Sequence, residues 1–242
     1  MSRYYYDLHI HSCLSPCAED DMTPANIAGM AALKGLTLLA LTDHNSCRNC
    51  PAFFDACKAF GIVPVPGMEL TTAEDIHMVV LFPSLEQAMA FDEEIHGRII
   101  PVKNRPEIFG NQWIVDCDDN LLATEETLLI NATDLDVDSA LELVRRYGGA
   151  VYPAHIDRPS NGMIAILGTV PSDYGFTCVE FNDYGQREQI LRDHGLEHCN
   201  TLCSSDAHDL GRINEADNFI DLEDEPYSSA LVRQKLIEFL TR

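Results

Sequence analysis

Histidines and carboxylates recur in this chain beside short apolar runs, where folding could gather them at one place. His9 and His11 are two residues apart, so on a strand both imidazoles point to the same face. The other residues of this kind lie at or just after later apolar runs: His44, Glu69, His77, His155, Asp206 and His208. Imidazole and carboxylate ligands together suit divalent zinc, manganese or iron. The set therefore predicts a divalent metal centre.

Strand-like and helix-like segments alternate along most of the chain. Seven apolar runs are predicted to be strands: 4–10, 36–41, 62–66, 76–82, 150–154, 177–181 and 201–204. Amphipathic segments between them predict helices, the first with Thr23 as its N-cap and Pro24 at its first position. This alternation predicts an α/β fold with a parallel sheet, either a closed (β/α) barrel or an open doubly wound sheet. In a barrel the carboxyl ends of all strands meet at one face, which would bring the histidines and acids together.

Residues 97–131 interrupt the alternation. Short apolar runs at 99–102, 113–115 and 121–122 are separated by turn-forming residues, which predicts a hairpin or small lid within an insertion at about 84–131. The chain contains no internal repeat and no low-complexity linker. We therefore expect residues 1–242 to form a single domain.

The charge balance is strongly acidic. Thirty-nine aspartates and glutamates oppose sixteen lysines and arginines, which gives a formal net charge of −23. We therefore expect neither extended nucleic acid nor a membrane surface as a partner, because both attract basic proteins. Nine cysteines are an odd number, which is atypical of a disulfide framework and predicts a reduced, cytoplasmic protein. Cys47 and Cys50 form a lone CxxC pair, for which structural thiols are expected ahead of a redox or zinc site.

Six short segments together resemble the PHP (polymerase and histidinol phosphatase) family. In chain order they are DLHIHS at 7–12, TDHN at 42–45, GME at 67–69, IH at 76–77, AH at 154–155 and SDAH at 205–208. Their order and spacing match the family over nearly the whole chain. No polymerase domain is appended, so the chain resembles the stand-alone phosphoesterase branch. The resemblance implies a distorted seven-stranded (β/α) barrel, similar to a TIM barrel, with two or three divalent metal ions.

The resemblance also implies a ligand set for each ion. The three sets are His9, His11, Glu69 and Asp206; Glu69, His77 and His155; and His44 and His208 with one residue of the loop after His11. The family has Asp or His in that loop, at positions where this chain has Pro16 and Cys17. The acids that follow favour Glu19 as the remaining ligand, with Asp20 as the alternative.

Such a centre suits the hydrolysis of phosphate esters. A bound divalent ion lowers the pKa of water from 15.7 toward about 7, and paired ions hold the attacking and leaving oxygens. Glu69 would bridge the ions as a catalytic residue, and Asp43 would either orient a histidine or cap the following helix. Arg158, three residues after His155, is the first candidate for binding substrate phosphate, and Arg212 is the second. We expect a phosphatase or phosphoesterase whose substrate is a small phosphorylated metabolite or nucleotide.

Three other functions stay open. A metal-dependent amidohydrolase also uses an HxH pair and a late aspartate, although its bridging carboxylated lysine has no counterpart at a predicted strand end. A non-catalytic, regulatory metal-binding module is the second alternative. A nuclease that acts on a single nucleotide or an oligonucleotide end is the third.

Overall fold

One curled sheet with helices on its outer face forms the centre of the computed structural model, which describes all 242 residues. The ten strands are β1 (Ser2–Asp7), β2 (Leu38–Leu41), β3 (Val63–Thr71), β4 (His77–Leu81), β5 (Trp113–Val115), β6 (Leu121–Thr124), β7 (Ala150–Pro153), β8 (Cys178–Phe181), β9 (Asn200–Cys203) and β10 (Phe219–Leu222). The eight α-helices are α1 (Pro24–Leu33), α2 (Cys50–Phe60), α3 (Leu85–His96), α4 (Pro106–Phe109), α5 (Val137–Arg146), α6 (Met163–Leu167), α7 (Arg187–His194) and α8 (Ser229–Leu240).

Seven strands surround the barrel interior in the order β1, β2, β3, β4, β7, β8 and β9. Hydrogen-bonded ladders connect β1 through to β7, and β8 pairs with β9 in parallel. Single backbone contacts join the two remaining edges: Ile156 donates to the carbonyl oxygen of Glu180 at 2.9 Å, and Ile10 forms a parallel bridge with Ala207. The predicted fold class, a distorted TIM-like α/β barrel, is therefore confirmed.

The prediction that the sheet is parallel throughout is wrong. β4 pairs antiparallel with both β3 and β7, and β10 pairs antiparallel with β1. Only residues 72–76 connect β3 to β4, whereas a crossover to a parallel strand needs about a dozen residues or more. Gly67 lets β4 lie close to β3, because a Cβ at that position would lie 2.2 Å from the carbonyl oxygen of Val80. Because β4 is reversed, its first residue, His77, lies at the end where β3 finishes.

Apolar side chains from alternate strand positions fill the barrel interior. Among them are Tyr6, Leu8, Leu38, Val65, Val79, Leu81 and Tyr152. Helix α8 closes the end at which the parallel strands begin, and its buried Val232, Leu236 and Leu240 belong to the same cluster. Full burial of one such side chain stabilises the fold by roughly 1.5–3 kcal/mol. A larger apolar cluster lies between the outer face of the sheet and helices α1, α2, α3 and α5.

Strand β1 ends earlier than predicted. It finishes at Asp7, so His9 and His11 lie just beyond it. Two backbone N–H groups there bond to side chains, since Leu8 N–H donates to Ser204 Oγ at 3.3 Å and Ile10 N–H to Thr42 Oγ1 at 3.1 Å. The first helix begins as predicted, with Pro24 at its first position after the N-cap.

The segment 97–131 contains helix α4 and an antiparallel hairpin formed by β5 and β6. Trp113 N–H donates to the carbonyl oxygen of Cys13 at 2.9 Å, and Asn49 Nδ2 donates to the carbonyl oxygen of Trp113 at 3.0 Å. These bonds hold the hairpin against the loops that follow β1 and β2. None of the eight helices has the length and apolar character that a membrane span requires.

Candidate metal centre

The buried carboxylate of Glu69 lies at the centre of a group of histidines. Five imidazoles each place a nitrogen 2.8–3.4 Å from one of its oxygens: His77 at 2.8 Å, His44 and His155 at 3.0 Å, His9 at 3.3 Å and His11 at 3.4 Å. Asp206 lies on the other side of the first histidine pair, with Oδ1 3.1 Å from His11 Nε2. His208 stacks on the ring of His11, with ring centroids 4.1 Å apart.

The topology explains how residues so distant in sequence meet. The parallel strands β1, β2, β3 and β9 all finish at this end of the barrel, and their last residues or the loops after them carry His9, His11, His44, Glu69, Asp206 and His208. His155 follows β7 in the same way. His77 reaches the same place because β4 is reversed and starts there. All eight side chains predicted with most support from the sequence therefore converge.

Three groups of candidate ligand atoms each fall within 4.8 Å of one another. They are His9, His11, Glu69 and Asp206; His11, His44 and His208; and His44, Glu69 and His77. The first group is the set that the family resemblance implies for one ion. The other two groups differ from the sets that the resemblance implies. In one, His44 takes the place of His155 beside Glu69 and His77, and in the other, His11 takes the place of the expected loop acid. The geometry thus offers positions for more than one ion around Glu69.

The donor set fits divalent ions. His9 Nε2 and His11 Nε2 face each other at 3.2 Å. His44 Nδ1 and Asp206 Oδ1 are buried, and their contacts with Glu69 Oε2 at 3.0 Å and with His11 Nε2 at 3.1 Å lack hydrogen-bond geometry. A buried polar atom without a partner costs about 1–3 kcal/mol, and coordination to a cation would satisfy it. Imidazole nitrogen and carboxylate oxygen are also the ligand types that zinc, manganese and iron accept.

The charges around His9 and His11 favour their protonated forms when no ion is bound. Burial lowers the pKa of His11, but its close contacts with the carboxylates of Asp206 and Glu69 outweigh burial and raise this pKa to about 9. Burial is likewise outweighed at His9, where the charges of Glu180, Asp206 and Glu69 raise the pKa well above its ordinary value. A divalent ion that binds here at neutral pH must therefore displace protons.

His44 and His208 have the neutral imidazole form that binds metal ions. Burial, followed by the charge on His11, lowers the pKa of His44 to about 4 and that of His208 to about 3. Both imidazoles are therefore neutral at pH 7 and keep a nitrogen lone pair for a metal. Burial opposes ionisation of Glu69, but the surrounding histidines lower its pKa well below the ordinary value, so it is a carboxylate.

Glu180 contacts one of the clustered histidines and was not predicted from the sequence. Its Oε1 accepts from His9 Nδ1 at 2.8 Å and from the backbone N–H of His155 at 3.3 Å, and the residue is buried. The bond to Nδ1 leaves Nε2 of His9 directed at Glu69 and Asp206, as expected for a carboxylate that orients a metal-binding histidine. The available signal was an acid within the apolar run CVEF of β8.

Asp43 acts on His11 through a serine. Its carboxylate accepts from Ser12 N–H at 2.6 Å, from Ser12 Oγ at 2.7 Å and from Ser15 Oγ at 2.7 Å. Ser15 Oγ lies 2.9 Å from His11 Nδ1. Helix α2 begins after Asn49, so Asp43 is not its cap. Of the two roles considered for Asp43, this geometry matches the orientation of a histidine.

The acids of the loop after His11 do not join the cluster. Glu19 and Asp20 are exposed, and both oxygens of Asp20 accept from Asn111 Nδ2, at 3.0 and 3.1 Å. The loop folds on itself through a bond from Met22 N–H to the carbonyl oxygen of Glu19, and this local turn leaves both carboxylates on the surface. Neither belongs to a group of converging ligand atoms.

The two predicted phosphate-binding arginines lie in different surroundings. Arg158 reaches the edge of the cluster, where Nη1 lies 2.5 Å from Asp206 Oδ2 while 38% of the side chain stays exposed. Arg212 instead pairs with its neighbour Asp209 at 3.0 Å, and 75% of its side chain is exposed. Only Arg158 is therefore placed where a substrate bound at the cluster could meet it.

The CxxC pair forms no metal site. Cys47 Sγ and Cys50 Sγ lie 3.1 and 3.8 Å from the carbonyl oxygen of Gly67, and both residues are buried. Burial raises the pKa of the Cys47 thiol well above its ordinary value, which makes it unreactive. No histidine or acid joins them in a group of candidate ligands.

Comparison with known proteins agrees with this geometry. The structure superimposes on endonuclease Q from Pyrococcus furiosus, a lesion-specific endonuclease, with a TM-score of 0.69 and 19% identity, over 96% of this chain and 55% of that chain. It superimposes on a metal-dependent phosphoesterase from Bifidobacterium adolescentis with a TM-score of 0.59 and 19% identity, over 96% of this chain and 95% of that one.

The sequence matches one curated protein in part and one family model over most of its length. A stretch of 75 residues is 35% identical to the PolC-type DNA polymerase III of Thermotoga maritima, and it covers 31% of this chain and 5% of the polymerase. This chain thus spans about half the length of endonuclease Q and a small part of the polymerase. The family model of the PHP domain matches residues 7–204, which is most of the chain and includes the first histidine pair. The chain therefore belongs to the PHP domain family.

Proposed function

We propose that this protein is a metal-dependent hydrolase of phosphate esters, whose substrate is a small phosphorylated metabolite or a nucleotide. The observation that carries the proposal is the convergence of five imidazoles on the buried carboxylate of Glu69, with Asp206 beside them. Two comparisons support the same reaction class. The chain belongs to the PHP domain family, and its structure is similar to those of metal-dependent phosphoesterases. Zinc, manganese and iron all suit these ligands.

Two or three divalent ions held here would supply a water of lowered pKa and a positive field for the phosphate group. The chain itself supplies fixed ligand directions. Glu180 and the Ser15–Asp43 pair each hold the Nδ1 side of one histidine, so that Nε2 of His9 and of His11 faces the cluster. We propose Glu69 as the bridging carboxylate, since both its oxygens contact imidazoles.

Arg158 is the proposed contact for a substrate phosphate. Its guanidinium has five N–H donors, and the ion pair with Asp206 uses Nη1 only. The remaining donors lie on a partly exposed side chain at the edge of the cluster, where an incoming anion would arrive. A planar guanidinium can meet two phosphate oxygens at once, which a lysine copies poorly.

A small substrate suits the charge of this surface. The loop beside the cluster exposes Glu19, Asp20 and Asp21, and the whole chain carries −23. A long nucleic acid would have to pass these acids without the basic track that such proteins use. A single phosphate group could instead reach the metal ions and Arg158 directly.

A second candidate is the hydrolysis of phosphodiesters in DNA, because endonuclease Q shares the fold over nearly this whole chain and has been seen with a duplex that carries an abasic lesion. The chain covers only 55% of that endonuclease, so its DNA contacts need not be present here. An abasic-site duplex assayed beside a phosphomonoester would separate the two candidates. Cleavage of the duplex faster than of any monoester would favour the second.

The amidohydrolase alternative has less support. None of the four lysines belongs to the cluster, since Lys34 bonds to the carbonyl oxygens of Gly211 and Ile213 and the others lie on α2, in the insertion and on α8. A carboxylated lysine therefore cannot bridge two ions here. A regulatory metal-binding role would be recognised by bound metal without turnover of any ester.

The proposed function is tested by a hydrolysis screen on a library of phosphorylated metabolites, nucleotides and p-nitrophenyl phosphate, run separately with zinc, manganese and iron. We expect at least one phosphomonoester to be hydrolysed, with loss of activity on chelation. An amide panel and the abasic-site duplex serve as the comparison substrates. Hydrolysis of amides but of no phosphate ester would overturn the proposal.

A further inference from the structure

Most lysines and arginines of this acidic chain lie beside a carboxylate. Eleven of the sixteen are within 4.0 Å of an aspartate or glutamate oxygen, as expected where acids outnumber bases so strongly. The five without such a partner are Lys58, Arg105, Arg145, Arg187 and Arg233. Two of these five, Lys58 and Arg233, line the same surface cavity.

This cavity has a volume of about 300 Å³ and lies between the end of α2, the start of β3 and the start of α8. None of its lining residues is an aspartate or glutamate. Its wall therefore carries two positive charges and no negative one, on a molecule of net charge −23. The volume is at the lower end of the range for small-molecule sites, roughly 300–1,000 Å³.

Arg233 is fixed in place while keeping donors free. Its Nε donates to the carbonyl oxygen of Pro83 at 2.9 Å and its Nη1 to that of Pro64 at 3.4 Å, and the guanidinium lies 5.1 Å from the ring of Phe54. These bonds use two of five N–H groups. A half-buried cation with fixed orientation and spare donors is suited to meet an anion.

The first turn of α8 adds neutral donors to the same cavity. Ser228 caps this twelve-residue helix by accepting from Leu231 N–H, and the N–H groups of Ser229 and Ala230 have no hydrogen-bond partner. Ser229 lines the cavity. Free N–H groups at a helix start attract anions, and Ser229 lines the same cavity as the two cations.

The rest of the wall is apolar. Phe54, Ile62 and Pro64 line the cavity together with Tyr227, which is 61% exposed. An inorganic anion alone would leave these surfaces in contact with water. An aromatic or similarly planar group would cover them while its acidic head meets Lys58 and Arg233.

We propose that this cavity is a second binding site, which takes a small organic phosphate with a planar apolar portion. It is separate from the metal centre, because Pro64 and Glu69 are five residues apart on β3, which corresponds to about 16 Å along a strand. The proposal does not depend on the reaction proposed for the metal centre.

Phenylphosphonate is a suitable probe, since its carbon–phosphorus bond is not hydrolysed as an ester. We expect an NMR titration of the metal-loaded protein to shift the amide signals of Gly61 and Ser229 saturably. Lys58→Gln and Arg233→Gln should each weaken this binding by about tenfold or more, because each removes a charge-assisted contact. Inorganic phosphate should bind more weakly than phenylphosphonate, and Tyr227→Ala should reduce that difference.

Arg187→Gln is the matched control. Arg187 also lacks a carboxylate partner, and like Arg233 it lies over an aromatic ring, 4.8 Å from that of Tyr184, but it lies on α7, away from this cavity. It should leave phenylphosphonate affinity unchanged. The Lys58 side chain is exposed and makes no hydrogen bond, so Lys58→Gln tests the site even if Arg233→Gln fails to fold. Shifts confined to the metal centre, or equal affinity in the parent and Lys58→Gln, would overturn the proposal.

Discussion

The two ends of the barrel bury opposite kinds of side chain. Where β1, β2 and β3 finish, imidazoles and carboxylates are buried within 2.8–3.4 Å of one another. At the other end, α8 inserts Val232, Leu236 and Leu240 into the barrel. Burial of the first set costs free energy unless the charges are paired or bind a cation, whereas burial of the second stabilises the fold. Burial therefore has opposite consequences for stability at the two ends of the barrel.

The largest expected effect is at the polar end. Glu69→Gln should lower phosphate-ester hydrolysis by roughly a hundredfold or more, beyond the 10- to 100-fold typical of residues that only orient a ligand. The chain should still fold, which circular dichroism would check, but metal content by elemental analysis should fall. Glu86→Gln, an exposed residue of α3, makes the same charge change and should have no effect. Full activity with unchanged metal content would remove Glu69 from the site.

A substitution at the apolar end should lower stability without changing metal content or activity. Leu236→Ala removes a fully buried side chain and should lower the free energy of unfolding by about 2–5 kcal/mol, measured by denaturant titration. Metal content and kcat of the folded protein should stay close to those of the parent. A large loss of metal in folded Leu236→Ala would show that the two ends are not independent.

A substitution of Glu180 tests whether a residue that contacts a candidate ligand, but is not itself one, affects metal affinity. Glu180→Gln keeps an oxygen near His9 Nδ1 but removes the charge, so metal affinity should fall by about 10- to 100-fold in a competition titration. Glu188→Gln on the exposed face of α7 is the control for loss of one negative charge. Equal metal affinity in Glu180→Gln and the parent would mean that His9 needs no support from β8.

The last expected effect concerns substrate binding alone. Arg158→Lys and Arg158→Ala should lower kcat/KM for phosphomonoesters by about 10- to 100-fold, equivalent to loss of one charge-assisted contact. Metal content should not change, and kcat and KM should be compared separately, because a contact present only in the transition state lowers kcat. Arg146→Ala, an exposed residue of α5, is the control. Unchanged kinetics in both Arg158 variants would remove Arg158 from the substrate site.

Spacing along the sequence was sufficient to predict eight of the ionisable residues that meet. His9, His11 and Glu69 lie where apolar runs finish. Because the carboxyl ends of parallel strands lie at one end of a barrel, such residues come close together there. His77 reached the same end for a different reason, since it starts the reversed strand β4. The position of His77 was therefore predicted correctly, although its strand was predicted to be parallel to its neighbours.

Other features depend on contacts that spacing does not encode. Glu180 is a single acid in an apolar strand, and its role arises only when β8 packs beside the segment that carries His9. Ser15 is an ordinary loop residue until its hydroxyl meets His11 and Asp43. Conversely, Glu19 lies near the first histidine pair in sequence, but a local turn leaves its side chain exposed.

The central proposal is that the polar end of the barrel holds catalytic divalent ions. Its most direct test is to strip the protein with a chelator, reload it with manganese, zinc or iron, and measure bound metal and p-nitrophenyl phosphate hydrolysis in the same samples. We predict two or three ions per chain, with hydrolysis absent from the stripped protein and restored as the ions bind. Undiminished hydrolysis by the metal-free protein, or a reloaded protein that binds no ion, would contradict the account.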